Sequence, residues 1–543
     1  MKKIIRTAAL VLIVSLTANA QEFKESVQPL SKKSVKGFLY DVNKDDSGNS
    51  RITYKIKGDK KSEEVFYEEY SFDKDLKFTG NKDVQEKKEQ KPDVERTDFY
   101  AYVGGTSSFD VLSMKLKMNK VVQLRSWNHE KQKYITTKYI SRENVKPRND
   151  DGKVYYGYAS YASTNDESSD VLVIAKVESK DKNQADKFLV LLFNEKLEIK
   201  ETAMEMNGSH SLVYCQQLSD GNDDVVAVFA PNKGAADVSK YLYFQFDIKG
   251  NLKSKIEFKS PASALLITAA YEKDGSVYFF GTSTKSSESF KEVFNEYAPI
   301  YNPGSNEQGN NIKDIKWRKA LDEKMDNFHL LKFSGNQLAF ASTTPVGEFK
   351  TKFKTAPGDK GASAYKGKKF YIENFFGTPD EDYLITGQLT SSVNFGSGNI
   401  MDSYEDMVCF HFNKTGNLKA QYGIGKINND KKSEIFKMIQ NFHLSADGKS
   451  VYWEILEVKG LKGYENFMDA YKDVPTFYPL YYPRLGKIDL INSTLGSFKS
   501  MGDEKYFLRR DFTGIYDKAD RTITYFGHDD DYKNLWVGKV MIP

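Results

Sequence analysis

The chain has 543 residues, of which 14% are aromatic, and carries 79 lysine and arginine residues against 75 aspartate and glutamate residues. This near balance provides no overall attraction to nucleic acid, so we expect no nucleic-acid partner. Its two cysteines are too few for a disulfide scaffold or a four-thiolate zinc site. The abundance of tyrosine and phenylalanine favours β-structure around a large core.

The first twenty residues have the features of an export signal. Basic residues precede an apolar run at 8–16, and Ala18 and Ala20 then supply the small residues of a cleavage site. The run is shorter than the roughly 20 residues that a membrane span needs. We therefore predict that 1–20 is a signal peptide and that the mature chain begins at Gln21, which is not a lipid-attachable cysteine. We expect no transmembrane span in the mature chain.

After residue 34, short stretches with alternating apolar residues are repeatedly interrupted by turns rich in Asn, Asp, Ser and Gly. This pattern is typical of β-hairpins. The clearest examples cover residues 67–80, 188–201, 240–258, 329–340, 406–423 and 484–499. Each is usually preceded by another strand-like run. The repeating unit is thus about four antiparallel strands, and it recurs about every 50 to 80 residues.

A single four-stranded unit of this kind cannot bury both faces of its sheet, whereas units stacked face to face around an axis can. The sequence therefore predicts an all-β fold, a single β-propeller of seven or eight four-stranded blades spanning 21–543. Both blade counts fit the pattern. The last unit lacks a strand at its edge, so we expect an N-terminal strand from within 22–40 to pair into it and close the ring.

Two stretches resemble known bacterial propeller repeats. Residues 383–423 resemble the SBBP-type repeat of seven-bladed propellers, with these matching residues: Thr386, Gly387, Val393, Asn394, Phe395, Gly396, Asp406, Gly416 and Asn417. Residues 443–453 and, more loosely, 516–537 resemble TolB-type repeats. Each match covers one blade, so the resemblance implies the fold and assigns no function. The composition resembles that of exported proteins of the Bacteroidota.

Long insertions fall at one recurrent place, between the second and third strands of a unit. The longest span about 284–327 and 459–483, and 390–405 is another. Equivalent loops of a propeller project from the same face, and loops on a rigid scaffold often carry function. Tyrosine-rich loops suit protein interfaces, although the rings could instead pack together and hold the loops down. The predicted interaction face comprises Tyr297, Tyr301, Tyr464, Phe467, Tyr471, Tyr478, Tyr481 and Tyr482.

The sequence does not match in full either of the catalytic and metal-binding motifs considered below. No G-x-S-x-G nucleophile elbow occurs. Asp41, Asn43 and Asp45 partly imitate a calcium loop, but the required glycine is replaced by Asp46, so we expect an ordinary turn. We assign no catalytic, cofactor-binding or metal residue. Carboxylates that meet in a central channel remain an alternative that sequence cannot locate.

The two cysteines, Cys215 and Cys409, lie far apart in the chain, each beside apolar strand-like residues. A disulfide and two buried free thiols are both compatible with this placement.

These features favour a non-catalytic β-propeller that acts as a protein-interaction platform in the bacterial cell envelope. It would be an accessory subunit of an outer-membrane-associated complex for secretion, assembly or uptake. Its expected location is the periplasm or the periphery of the outer membrane, or alternatively the medium. The alternatives are a glycan-binding or glycan-cleaving propeller (hydrolase or lyase) and a TolB-like accessory protein. Clustered carboxylates, histidine and arginine at a channel mouth would favour an enzyme, and a broad tyrosine-rich face would favour the platform.

Overall fold

The computed structural model describes most of the chain after the predicted signal peptide, which lies outside the described residues. The described ranges are 23–56, 64–87, 95–102, 115–116, 119–128, 133–140, 155–162, 171–177, 185, 187–193, 199–218, 223–294, 324–359, 361–394, 400–426, 433–463, 477–509 and 512–543. Within them β-strand is the main secondary structure, and the helices are few and short. No helix in these ranges is long and apolar enough to cross a membrane.

The strands follow one another along the chain and pair with their sequence neighbours. The first strand is β1 (Phe23–Pro29). Sheet I consists of β2 (Phe38–Lys44), β3 (Ser50–Ile56), β4 (Glu64–Phe72) and β5 (Phe78–Lys87). The next eight strands are β6 (Glu95–Tyr102), β7 (Lys115–Leu116), β8 (Asn119–Asn128), β9 (Lys133–Ile140), β10 (Tyr155–Ala162), β11 (Val171–Val177), β12 (Lys187–Phe193) and β13 (Ile199–Met204). Of these, β6, β8 and β9 form sheet II, and β7 joins β10 to β13 in sheet III.

The central part of the chain forms three further sheets. Sheet IV consists of β14 (His210–Gln217), β15 (Val225–Pro231), β16 (Lys240–Phe246) and β17 (Leu252–Lys259). Sheet V consists of β18 (Leu265–Lys273), β19 (Ser276–Ser283), β20 (Asn327–Ser334) and β21 (Gln337–Pro345). Sheet VI consists of β22 (Phe353–Thr355), β23 (Phe370–Gly377), β24 (Tyr383–Asn394), β25 (Ile400–Phe412) and β26 (Leu418–Ile424).

Sheet VII has ten strands and contains two units. Unit VIIa consists of β27 (Ile439–Leu444), β28 (Ser450–Gly463), β29 (Phe477–Asp489) and β30 (Thr494–Leu495). The connecting strands are β31 (Lys499–Ser500) and β32 (Phe507–Leu508), and β32 pairs with both units. Unit VIIb consists of β33 (Ile515–Asp517), β34 (Thr522–His528), β35 (Asn534–Met541) and β1. Short helices between strands are α1 (Lys32–Val35), α2 (Phe290–Phe294) and α3 (Val346–Thr351), and single 3₁₀ turns cover Ser433–Ile435 and Met501–Glu504.

The units stack face to face, as the period-two pattern predicts. On β19, Phe279 faces sheet IV, where its ring centroid lies 5.8 Å from that of Tyr243. The preceding residue, Tyr278, points to the opposite face and lies 4.9 Å from Phe375 of sheet VI. Each sheet therefore contributes to two cores, because alternate residues of a strand point to opposite faces.

The same alternation links every described neighbour from sheet III to unit VIIb. Sheets III, IV and V share one core, sheets V and VI a second, and sheet VI with units VIIa and VIIb a third. The fourth strand of a unit lies at its exposed edge, as the alternating burial of β17 shows, whereas β15 in the middle of sheet IV is buried throughout. These features are those of an all-β protein built from four-stranded antiparallel sheets, consistent with a propeller.

The first and last parts of the chain meet. Tyr54 and Tyr70 of sheet I share a core with Phe526 and Val537 of unit VIIb. Strand β1, which lies within the predicted range 22–40, pairs antiparallel with β35 from Phe23↔Val540 to Pro29↔Asn534. Sheet I is thus packed against the unit that the N-terminal strand completes.

Three hairpin turns share the pattern Asp/Asn-x-x-Gly-Asn, at 45–49, 247–251 and 413–417. In each, a side-chain oxygen of the first residue accepts the backbone N–H of the last, at 2.8, 2.8 and 2.9 Å. The glycines have φ values of 83°, 75° and 78°, a region that glycine occupies without steric cost. The repeated sequence therefore specifies a repeated turn.

Candidate functional site

The two ends of the strands differ in how they are joined. Because antiparallel neighbours alternate in direction, the joins between strands one and two and between three and four lie at one end of a unit. We call this end the turn side, and the end that joins strands two and three the connection side. The turn sides of successive units are in contact. Lys273 Nζ of sheet V donates to the carbonyl oxygen of Gly377 in sheet VI at 2.9 Å. Lys419 Nζ of sheet VI donates to the carbonyl oxygen of Leu490 in unit VIIa at 3.3 Å.

On the connection side, three consecutive units are elongated. Strands β24 and β25 have 12 and 13 residues, and β28 and β29 have 14 and 13, whereas β15 and β16 have 7 each. In sheet V the same connection covers residues 284–326 and includes α2. In both long hairpins a β-bulge precedes the extra pairs, between Gln388 and Thr390 in one and between Val458 and Gly460 in the other.

The expected loop at 459–483 is therefore in part a hairpin. Residues 460–463 and 477–483 are paired strand residues, as are 390–394 and 400–404. Two prolines in β29, Pro479 and Pro483, favoured a loop in the sequence because proline is rare inside strands. Their pairing partners are Leu461 and Leu456 of β28.

The predicted interaction residues have different positions. Tyr478 lies in β29, paired with Lys462. Tyr481 and Tyr482 are buried, with exposed fractions of 3% and 6%. These two rings thus anchor the base of the hairpin, which is the alternative that the sequence left open for such rings. The remaining predicted residues lie outside the described part of the chain: Tyr297, Tyr301, Tyr464, Phe467 and Tyr471.

A cavity of about 540 Å³ lies between the first strands of three units. Asn374 belongs to β23 of sheet VI, His443 to β27 of unit VIIa and Tyr516 to β33 of unit VIIb. We call it the first-strand cavity. Its lining includes the exposed residues Gly514 and Lys518, so solvent can reach it. Apart from Asn441, the residues from β23 and β27 come from the second half of each strand, toward the turn side.

A buried histidine–carboxylate pair lines this cavity. His443 Nε2 lies 3.0 Å from Glu454 Oε2, and the two residues are 6% and 4% exposed. Asn441 Nδ2 donates to the same carboxylate oxygen at 3.0 Å, and the Tyr525 hydroxyl donates to Oε1 at 2.7 Å. Burial alone would raise the pKa of Glu454, but these hydrogen bonds and the interaction with His443 outweigh it and lower that pKa. The carboxylate therefore stays ionised with three donors in place.

Sequence reasoning missed this pair. The available signal was Glu454 itself, a charged residue inside the apolar run 451–458, because a carboxylate in a strand that is buried on both faces needs partners. Among the described lining residues Glu454 is the only carboxylate. A two-carboxylate glycosidase mechanism needs a second one.

The calcium-like segment is a turn. The Asp45 carboxylate accepts the backbone N–H groups of Ser47 and Asn49, and its hydrogen bonds with Asn49 lower its pKa. Asn43 Nδ2 donates to Asp41 Oδ2. Across the described ranges, no group of three or more His, Cys, Asp or Glu residues is placed to hold a metal ion.

Cys215 and Cys409 are free and buried, in β14 and β25. The Tyr161 hydroxyl donates to Cys215 Sγ at 3.1 Å, and burial raises the pKa of the Cys215 thiol to about 12. The two residues are core thiols and form no disulfide with each other.

Comparisons with known proteins do not assign this chain to a family. No family model and no curated protein matches the chain. The Pseudomonas brassicacearum lignostilbene dioxygenase is 10% identical, with a TM-score of 0.28 over 97% of this chain and 94% of that chain. A variant of the Synechocystis apocarotenoid oxygenase is 7% identical, with a TM-score of 0.27 over 89% and 94%. A catalytically inactive virginiamycin B lyase from Staphylococcus aureus is 10% identical, with a TM-score of 0.18 over 67% and 96%. Such low scores carry no argument about fold or chemistry, and the SBBP-type and TolB-type resemblances stay predictions.

Proposed function

We propose that the chain is a β-propeller whose connection side docks protein partners in the bacterial cell envelope. The observation that carries this proposal is the elongation of the same connection in sheets V and VI and unit VIIa, which are consecutive. Elongation in neighbouring units creates one continuous projecting surface, whereas insertions scattered around the ring would not.

The ring itself is part of the proposal. Sheets I to VI with units VIIa and VIIb would be eight blades, and β1 would be the outermost strand of the last blade. Two contacts between the first and last blades support closure. Lys44 Nζ lies 2.5 Å from Asp517 Oδ2, and the Tyr54 hydroxyl is hydrogen-bonded to His528 Nε2.

The long hairpins extend farther than the cores require. Beyond its bulge, β24 continues for Thr390 to Asn394, and five strand residues span about 16 Å. The sequence between β28 and β29 contains Tyr464, Phe467 and Tyr471. Aromatic residues are enriched at the centres of protein interfaces. A long hairpin whose connecting sequence is rich in aromatic residues suits a protein partner.

The predicted signal peptide supports a location of this docking surface in the envelope. We infer an accessory subunit of an outer-membrane-associated complex that serves secretion, assembly or uptake, located in the periplasm or peripheral to the outer membrane. The Bacteroidota-like composition and the propeller-repeat resemblances are consistent with this role, and neither identifies the complex.

A hairpin-shortened variant tests the proposal. Replacing residues 461–479 by Asn-Gly removes the tip of the hairpin and keeps Tyr481 and Tyr482. The matched control replaces 232–239, the short connection of sheet IV, by a turn of the same type. Both are compared with the unaltered chain by cross-linking and affinity isolation from the envelope of the source bacterium.

We expect partners in fixed stoichiometry with the unaltered chain and with the control, and their loss with the hairpin-shortened variant. Recovery of the same partners by that variant would contradict a docking role for the connection side. A chain that stays monomeric in the native envelope would contradict the platform itself.

A further inference from the structure

We propose that the first-strand cavity binds a neutral sugar or a similar polyol, with the His443 imidazole accepting a hydrogen bond from a ligand hydroxyl. This site lies toward the turn side, away from the proposed docking surface, and does not depend on it.

The two ring nitrogens of His443 differ in their hydrogen bonding. Its Nε2 faces an ionised carboxylate at 3.0 Å, so Nε2 carries the hydrogen and donates it to Glu454. In the neutral ring, Nδ1 then holds the lone pair. Nδ1 is buried and has no hydrogen-bond partner among the described residues. An unsatisfied buried acceptor is unfavourable, and a hydrogen bond from a ligand hydroxyl would offset that cost.

Two amides that line the same cavity are each held by a hydrogen bond. Asn441 Nδ2 donates to Glu454 at 3.0 Å, and Asn374 Nδ2 donates to the carbonyl oxygen of Gln440 at 3.1 Å. Each amide keeps its oxygen to accept and one further N–H to donate. The two first strands can therefore offer both acceptors and donors, and the hydroxyls of a polyol match both.

Ring surfaces complete the site. Tyr516 packs against His443 with ring centroids 4.5 Å apart, and both residues line the cavity, as does the half-buried Phe376. The C–H face of a sugar ring packs well on an aromatic ring while its hydroxyls bond at the edge. The volume, about 540 Å³, lies within the range of small-molecule sites.

The charged residues that line the cavity favour a neutral ligand. Glu454 already has three donors, so it has little capacity left to attract a cation. The other charged lining residue, Lys518, is exposed, and an ammonium in water attracts an anion only weakly. Hydroxyls therefore match the lining better than carboxylates, phosphates or amines do.

The test is titration calorimetry of the whole mature chain with maltose, cellobiose and N,N′-diacetylchitobiose, with galacturonate and spermidine as charged probes. We expect at least one neutral disaccharide to saturate a single site below about 10 mM. Substituting His443→Phe keeps a ring and removes both nitrogens, and we expect it to weaken binding about tenfold.

His210→Gln is the matched control, because His210 also lies in a first strand, that of sheet IV, and is buried outside this cavity. It should bind as the unaltered chain does. If His443→Phe does not fold, as judged by its thermal melting, Asn374→Ala provides the same test, with an expected loss of about threefold.

Three results would overturn the proposal: no saturable binding of any neutral probe, unchanged affinity in the folded variants, or tighter binding of a charged probe. Binding by the hairpin-shortened variant separates the two proposals. We expect that variant to keep its affinity for the sugar even where it has lost its protein partners.

Discussion

The turn side and the connection side of the strands are built on different principles. On the turn side, short hairpins are closed by side chains that bond to the backbone of the same turn, as at 45–49, 247–251 and 413–417. On the connection side of sheets V and VI and unit VIIa, length is added by longer strands and inserted segments. The comparison indicates that the conformation of the turn side depends on individual side chains in each turn. The connection side tolerates insertions because strand pairing and core packing already hold the strands from which the insertions extend.

The turn side also holds polar contacts between and within units. His411, near the end of β25, is hydrogen-bonded to Asp382 at 3.0 Å and to the Tyr422 hydroxyl at 3.1 Å. Lys44 and Asp517 join sheet I to unit VIIb. If the comparison is correct, changes on the turn side destabilise the fold strongly, and removal of the connection-side extensions leaves it nearly intact.

The largest effect is expected from Glu454→Ala. The change leaves His443, Asn441 and Tyr525 without their common acceptor in a buried site, which we expect to lower the free energy of unfolding by about 3–5 kcal/mol. Urea denaturation measures it. Glu348→Ala is the control, because its ion pair with Lys352 is partly exposed and should contribute less than about 0.5 kcal/mol. Equal losses of stability for the two substitutions would contradict a special structural role for the buried Glu454 network.

The second effect concerns pH. Burial lowers the pKa of His329, near the connection side, and of His411, on the turn side, to about 4 each. The unfolded chain gains protons near pH 6.5 that the folded chain does not bind, so stability falls as pH is lowered toward 4. We expect a loss of about 2 kcal/mol per histidine between pH 7 and pH 5.

Thermal melting of the unaltered chain, His329→Asn and His411→Asn across this range measures the two contributions separately. Each substitution should remove the contribution of its own histidine, about 2 kcal/mol. A pH dependence that is unchanged in both variants would contradict the assignment to these histidines.

The third effect compares two glycines. Gly416, in a turn, has φ 78°, and an added Cβ would lie 2.5 Å from Ser342 Oγ and 2.8 Å from Phe340 Cε2. We expect Gly416→Ala to destabilise by about 2–3 kcal/mol. Gly234, in the connection of sheet IV, has φ 96° and meets nothing within 4 Å, so Gly234→Ala should cost about 1 kcal/mol. Denaturation midpoints that reverse this order would argue against the tighter turn side.

The smallest effect is expected from replacing 461–479 by Asn-Gly. The removed residues lie beyond the bulge of the hairpin, so we expect a change in unfolding free energy within about 0.5 kcal/mol. A loss of several kcal/mol in urea denaturation would mean that the extension is part of the core.

Much of this architecture was predictable, because strand pairing and turn chemistry are local properties. Alternation predicted the strand that carries Phe410 and Phe412, and the pentapeptide 413–417 predicted the turn after it. The burial of Tyr481 and Tyr482 was not predictable, since it depends on their distant neighbours, with β32 pairing at Tyr481. The first-strand cavity was also hidden, because His443 and Tyr516 meet only when two units stack.

The pairing of β1 with β35 has a consequence for biogenesis. Trp536 Nε1 donates to Glu25 Oε2 at 2.9 Å across a sequence separation of 511 residues. A ribosome makes one partner long before the other, and contacts this remote in sequence form slowly. Until β35 is synthesised, β1 has no strand to pair with. A nascent chain that is interrupted before this point would therefore expose β1 as an unpaired strand. We expect such a chain to be sensitive to proteases and to depend on chaperones.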